Sequence, residues 1–184
     1  MNSTIYLFRH GITEGNLKNM YYGKTDLQLA PEGVEQINAL KAEGFYPQIE
    51  DASYFTSGML RANQTLKEIY GPVPYTIIPI LREMNFGEFE MHTAEQLKDN
   101  KDYQEWVNDK KGTIAPPDGE SKVKFFERAN RGFDELVNYT WLDCLKHRHN
   151  GKDTNTICIC HGGVIAAIMT QHFDADLRLS LIHI

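Results

Sequence analysis

Two histidines carry the sharpest chemical signal in this chain. His10 sits in Arg9-His10-Gly11, directly after an uncharged run rich in β-formers. His161 sits in Cys160-His161-Gly162-Gly163, after a second such run. A histidine at a strand end, with glycine behind it, meets a tight backbone turn and presents an exposed ring. Arg9 adds a planar guanidinium fork suited to phosphate oxygens. A short motif of this kind also arises by chance. His161, between an apolar strand and two glycines, is harder to dismiss, because a buried histidine needs partners.

Other candidate motifs fall away. Gly23-Lys24-Thr25 looks like the end of a phosphate-binding loop, but the first glycine of that motif should stand at position 18, which is Lys18. Cys158-x-Cys160-His161 suggests a metal site. Both cysteines lie on one face of an apolar strand and no second ligand pair follows, which favours core packing. His147-Arg148-His149 reads as solvated loop. Tyr103, Trp106 and Phe125 fit either the mouth of a site or packing inside the protein.

The elements that position these residues follow from periodicity. Residues 3–8 read as a buried, parallel strand. Pro31 starts a helix over 31–42, with Val34, Ile37 and Leu40 on one stripe. Strands are expected at 52–57, 75–81 and 156–160, with Pro79 marking an edge or an early end of the second. A helix over 60–70 turns Ala62, Leu66 and Ile69 inward, and Gly71-Pro72 stops it. Residues 85–120 are less regular and read as a lid or insertion. Residues 121–147 form the longest helical pattern, with Val123, Phe126, Asn130, Phe133, Val137, Thr140 and Cys144 as its apolar stripe. A polar loop over 147–155 and a helix from Val164 to about His172 complete the periodic pattern. Leu177 to Ile184 fits one alternating strand or a tail. Strands alternating with helices predict a three-layer α/β/α sandwich with a mostly parallel central sheet, as one domain spanning 1–184. In such sheets ligands sit beyond the carboxyl ends of strands, so His10 and His161 can meet.

Composition sets the bounds. The 184 residues carry 19 Lys and Arg against 25 Asp and Glu, a net charge of −6. That speaks against nucleic acid held by general electrostatics, so any anion site must be a local cluster. No apolar run approaches the length of a membrane span. The start Met-Asn-Ser-Thr-Ile-Tyr does not read as a signal peptide, and the 3 cysteines have no framework spacing. The expectation is a cytoplasmic protein with reduced thiols, monomeric or homodimeric.

Five motifs together resemble the histidine phosphatase superfamily, the phosphoglycerate-mutase-like fold. They are Arg9-His10-Gly11-x-Thr13-Glu14-x-Asn16 with Tyr22-Gly23, then Ser57-x-x-Leu60-Arg61-Ala62-x-Gln64-Thr65. Leu81-x-Glu83-Met84-x-Phe86-Gly87-Glu88-Phe89-Glu90 follows, then Asp118-Gly119-Glu120-Ser121 and Cys160-His161-Gly162-Gly163-Val164-Ile165. They stand in the family's order across residues 4–170. Met91 departs from the pattern, since a glycine often follows the acid segment there. The short members with this acid segment look like α-ribazole-phosphate phosphatases and broad-specificity phosphatases.

The resemblance implies roles. His10 would be the nucleophile that becomes a phosphohistidine, and Glu83 the proton donor to the leaving oxygen. Arg9, Arg61 and His161 would hold phosphoryl oxygens. Asn16, Gly23 and Gly162 would line the phosphate pocket. No cofactor or metal is implied, because a neutral imidazole is a competent in-line nucleophile. Two guanidiniums beside His10 would disfavour its protonated form. A substrate dianion would raise the Glu83 pKa, so activity is expected at mildly acidic to neutral pH. Read alone, Arg61 and Glu83 would pass for surface residues. The expected function is a metal-independent phosphatase acting on a phosphorylated small molecule. Its rivals are a phosphoglycerate mutase and a non-hydrolytic phosphate-binding module. The segment after Glu83 holds Glu88, Glu90 and Glu95 against Lys98, which favours hydrolysis over mutase action.

Overall fold

The computed structural model describes residues 2–147 and 152–172. Arg148, His149 and the 177–184 stretch lie outside them. The chain runs β1 (Ser3–Arg9), α1 (Glu14–Leu17), β2 (Met20–Tyr21), α2 (Pro31–Ala42), β3 (Ala52–Thr56), α3 (Leu60–Tyr70) and β4 (Thr76–Ile77). It continues with β5 (His92–Thr93), α4 (Ala94–Leu97), α5 (Lys101–Asn108), α6 (Lys122–His147), β6 (Thr154–Cys160) and α7 (Gly162–His172).

The main sheet has the order β1-β6-β3-β4, and every pairing in it is parallel. The late strand β6 therefore lies between β1 and β3. Arg9 pairs with Cys160, and Thr56 pairs with Ile159. This register continues past the strand ends, where the His10 N–H donates to the Cys160 carbonyl at 3.0 Å and the Ser57 N–H to Ile159 at 3.3 Å. His10, His161 and Ser57 leave the sheet side by side.

Alternation along the strands sorts side chains into two cores. Tyr6, Phe8, Ile157 and Ile159 pack with α2 and α3 through Ile37, Ala62, Leu66 and Ile69. Leu66 and Ile69 are each 1% exposed, and burying such a side chain contributes roughly 1.5–3 kcal/mol. Ile5, Leu7, Cys158 and Cys160 pack on the other side with α6 and α7. Helices on both faces make the three-layer α/β/α sandwich. Both strand cysteines are fully buried in that second core.

Two sequence expectations change. The 75–81 strand shrinks to Thr76–Ile77 at the sheet edge, and Pro79–Leu81 closes into a 3-10 turn. Proline lacks the N–H that would extend the ladder. In α6 the buried positions are Phe125, Ala129, Gly132, Leu136 and Thr140, while Val123 and Val137 are exposed. The expected stripe lies one step round the helix, where Phe126, Asn130 and Phe133 form its flank. Asn130 Nδ2 reaches Ala167, and Phe133 packs on His172 in α7. The 85–120 segment builds a small core of its own, in which Phe89, Leu97 and Tyr103 are buried against Tyr21, Phe86 and Trp106. Tyr103 and Trp106 therefore serve packing. Phe125 is 3% exposed, in the main core. The β2–β5 pairing joins the segment to the first loop, with Met20 opposite Thr93.

Candidate active site

His10 is 6% exposed, which corrects the expectation of an open ring. Its Nδ1 lies 2.7 Å from the Gly11 carbonyl oxygen. A carbonyl only accepts, so Nδ1 carries the proton and Nε2 keeps its lone pair. Burial, then the Arg61 charge, then the weaker pull of Arg9, lower the His10 pKa to about 3, although the Gly11 bond opposes them. The ring is neutral at pH 7. Burial is thus a larger cause than the guanidiniums. The His161 ring stands 5.2 Å away at 60°.

Arg61 enters from the first turn of α3 and is fully buried. Its Nη1 donates to the Thr25 carbonyl at 3.0 Å and its Nη2 to Gly23 at 2.9 Å. The guanidinium lies over the Tyr22 ring at 5.0 Å. Its Nε is buried and has no protein partner. Gly23 is required because a Cβ there would fall 1.7 Å from the Met84 carbonyl oxygen. Residues 23–25 are held in turn by the Glu90 carboxylate, which accepts N–H bonds from Gly23, Lys24, Thr25 and Phe86. Burial pushes the Glu90 carboxyl up, but these bonds together hold it below the usual range. The resemblance of Gly23-Lys24-Thr25 to a phosphate loop ends there, since its amides are taken by a carboxylate.

Glu83 reaches the site from the turn after Leu81. Its Oε1 accepts from the Met84 N–H and its Oε2 from the Gly163 N–H, both at 2.9 Å. Burial raises its pKa above the ordinary carboxylate value, against the two amides, Arg61 and Arg9. Arg9 makes no hydrogen bond to a described residue, and its charge acts on His10, His161 and Glu83 together. His161 is fully buried, with Nε2 2.8 Å from Ser57 Oγ and Nδ1 unpartnered. Burial and then the neighbouring His10 and arginines hold it well below the usual histidine pKa. Asn16 closes a capping box on α1, its Oδ1 accepting from Thr13 and from the Tyr22 hydroxyl. Gly162 opens α7, beside the Gly163 amide that holds Glu83.

Sequence reasoning gave no role to several residues that build this site. Ser57 and Thr65 lie inside a motif quoted above. Thr65 Oγ1 accepts from the Gly11 N–H at 2.9 Å and donates to the Arg61 carbonyl at 2.7 Å, tying β1's exit to α3. Glu90 lies in the acid segment. Arg128 had no signal. It pairs with Glu120 and donates to the carbonyls of Ile80, Arg82 and Glu83, which fixes the turn bearing Glu83.

The arrangement has a definite chemical capacity. A neutral imidazole with a free Nε2 is grouped with two buried nitrogens that have no protein partner, Arg61 Nε and His161 Nδ1, and with the Arg9 cation. Preorganised donors of this kind suit an oxyanion whose charge shifts during reaction. Among the described residues no group of three or more His, Cys, Asp and Glu is placed to hold a metal ion. No helix among them is long and apolar enough to cross a membrane.

Fold and site together define a protein of the phosphoryl-transfer class. The chain belongs to the histidine phosphatase superfamily (branch 1), whose sequence profile matches residues 5–181. It is 28% identical to the adenosylcobalamin/alpha-ribazole phosphatase of Escherichia coli K12, over 91% of this chain and 77% of that protein. It is 32% identical to a 2,3-bisphosphoglycerate-dependent phosphoglycerate mutase of Beijerinckia indica, over 92% of this chain and 80% of that one. Among solved structures, the alpha-ribazole phosphatase of Shigella flexneri superposes with a TM-score of 0.67 at 28% identity, covering 88% of this chain and 75% of that one. A phosphoglycerate mutase of Thermus thermophilus gives 0.65 at 30% identity, covering 90% and 82%. The relatives include both phosphatases and mutases, and the chain is an enzyme of that kind.

Proposed function

We propose that this chain is a metal-independent phosphomonoesterase acting on a phosphorylated small molecule. His10 Nε2 attacks phosphorus in line, and the P–O ester bond breaks as the N–P bond forms. Glu83 gives its proton to the departing alkoxide. Water then attacks the phosphohistidine, with the Glu83 carboxylate taking the water's proton, which returns enzyme and phosphate. Arg9, Arg61 and His161 hold the equatorial oxygens, while Asn16 and Gly162 complete the rim.

One observation carries this reading: His10 is neutral, its Nε2 is free, and it is grouped with buried nitrogens of Arg61 and His161 that have no protein partner. The 85–120 segment is the lid that sets specificity. Hydrolysis is favoured over mutase action because residues 84–97, directly after Glu83, carry no lysine or arginine for a second acidic group. Its acids are partly engaged already, Glu90 with the 23–25 loop and Glu95 with Lys98.

The test is hydrolysis of p-nitrophenyl phosphate in excess EDTA, wild type beside His10→Ala. Turnover that resists EDTA and vanishes in the variant supports the metal-free phosphohistidine route. Loss of activity in EDTA, or a fully active variant, overturns it. Turnover of phosphoglycerates with little release of free phosphate would establish the mutase instead.

A further inference from the structure

Ser57 follows β3 directly and is fully buried beside His161. Its Oγ has two neighbours among the described residues. The Met59 N–H lies 3.4 Å away and can only donate. The other is His161 Nε2 at 2.8 Å. A serine hydroxyl carries one proton, and Nε2 is the acceptor in reach. Were Nε2 protonated instead, the hydroxyl hydrogen would be buried with no acceptor, which proteins avoid. Burial and the surrounding cations keep the His161 ring neutral, so it carries a single proton. That proton then belongs on Nδ1, the ring nitrogen that is buried and has no protein partner.

We propose that Ser57 is a positioning residue: its hydroxyl holds His161 in the Nδ1–H tautomer, leaving Nδ1–H as the donor for a phosphoryl oxygen. The role of that donor rests on the phosphoryl-transfer reading above; the tautomer itself does not. The serine acts through His161 and touches no reacting atom. The logic is that of any second group that orients a functional imidazole: its partner on one nitrogen decides what the other nitrogen can offer.

The experiment is a long-range proton–nitrogen correlation spectrum of protein labelled with nitrogen-15 histidine, with and without inorganic phosphate. The His161 signals are identified by their loss in His161→Gln. Wild type is expected to show Nδ1 protonated and Nε2 bare. Ser57→Ala is expected to lose that pattern and to lower kcat/KM for p-nitrophenyl phosphate about tenfold to a hundredfold. Ser57→Thr restores the hydroxyl and should recover both. An Nε2–H pattern in wild type overturns the proposal, even if no variant folds. A Ser57→Ala protein that keeps the Nδ1–H pattern overturns it too, whatever its activity. If wild type shows the Nδ1–H pattern but turns over no phosphate ester, the tautomer stands and the phosphatase reading fails.

Discussion

The Gly163 amide donates to Glu83 Oε2 at 2.9 Å, tying the proposed acid to the first turn of the helix that follows His161. Acid and second histidine are 78 positions apart in sequence and rigidly related in space. The contact is tight: a Cβ on residue 163 would lie 2.4 Å from Glu83 Oε1, so any larger residue must displace the carboxyl. The same amide that positions Glu83 favours its ionised form, and burial opposes it, with burial the stronger. Glu83 is thereby tuned toward holding a proton before substrate arrives.

Glu83→Gln is expected to slow hydrolysis of alkyl phosphates by about 10²–10⁴-fold, the usual worth of a general acid. p-Nitrophenyl phosphate, whose leaving group needs little help, should lose much less. The sign of the pH dependence follows from the raised pKa. Glu83 is protonated below its folded pKa, so kcat is held at low pH and lost as pH rises through that value. In the glutamine variant this alkaline limb disappears. Steady-state kinetics on both esters from acid to alkaline pH check it, and a wild-type rate still rising above about pH 9 contradicts it.

Glu90→Gln replaces a carboxylate that accepts from four backbone amides with an amide that cannot accept from all of them. Unfolding free energy should fall by about 2 kcal/mol, the scale of lost hydrogen bonds to a charged group. The Gly23 and Thr25 carbonyls that clamp Arg61 loosen with it. Inorganic phosphate should inhibit about tenfold more weakly, equivalent to about 1.4 kcal/mol. Urea melts and inhibition constants measured on one preparation separate the two effects.

The buried histidines make the fold acid-sensitive. An unfolded histidine takes up a proton near pH 6.5. Folded His10 does so only near pH 3, and His161 is also depressed well below the ordinary value. The unfolded state therefore binds more protons below about pH 6.5, and stability falls as pH drops from there toward about 3. The slope is about 1.4 kcal/mol per pH unit for each histidine. Glu83 has the opposite sign, because its raised folded pKa makes burial costlier as pH rises above its unfolded value. His10→Asn should flatten the acid side of a plot of unfolding midpoint against pH.

Met91 has a φ of 62°, in the left-handed region, and is 37% exposed. A side chain there costs about 1–2 kcal/mol, which glycine avoids at some entropic expense. Met91→Gly should raise stability by up to about 1 kcal/mol, measured by urea unfolding, with kcat unchanged. The Met91 N–H bond to the Tyr21 carbonyl needs no side chain and should persist. A loss of stability would show that the methionine's packing outweighs the strain.

Much of the fold is legible in sequence because its signals are local. The α3 boundaries and its inward Ala62, Leu66 and Ile69 follow from period and breakers alone. So do the ends of α2 and the position of β1. The α6 stripe is offset from its sequence pattern because this helix packs against both the sheet and α7. Its sequence therefore carries two adjacent apolar rows, and periodicity alone does not say which meets the sheet. The 85–120 segment is opaque for a related reason, since its small core is assembled with Tyr21 from the first loop.

The sequence by itself determined the element order, the two histidines at strand ends, and the residue types that could handle a phosphoryl group. The tertiary structure decided which of these meet and in what charge state. Only the order β1-β6-β3-β4 brings His161 between His10 and Ser57. Burial, joined by the Arg61 and Arg9 charges, makes His10 a neutral base, and burial makes Glu83 a reluctant anion. Periodicity and capping depend on neighbours a few positions away. Strand register and desolvation depend on contacts between residues far apart in sequence, such as His10 and His161, 151 positions apart.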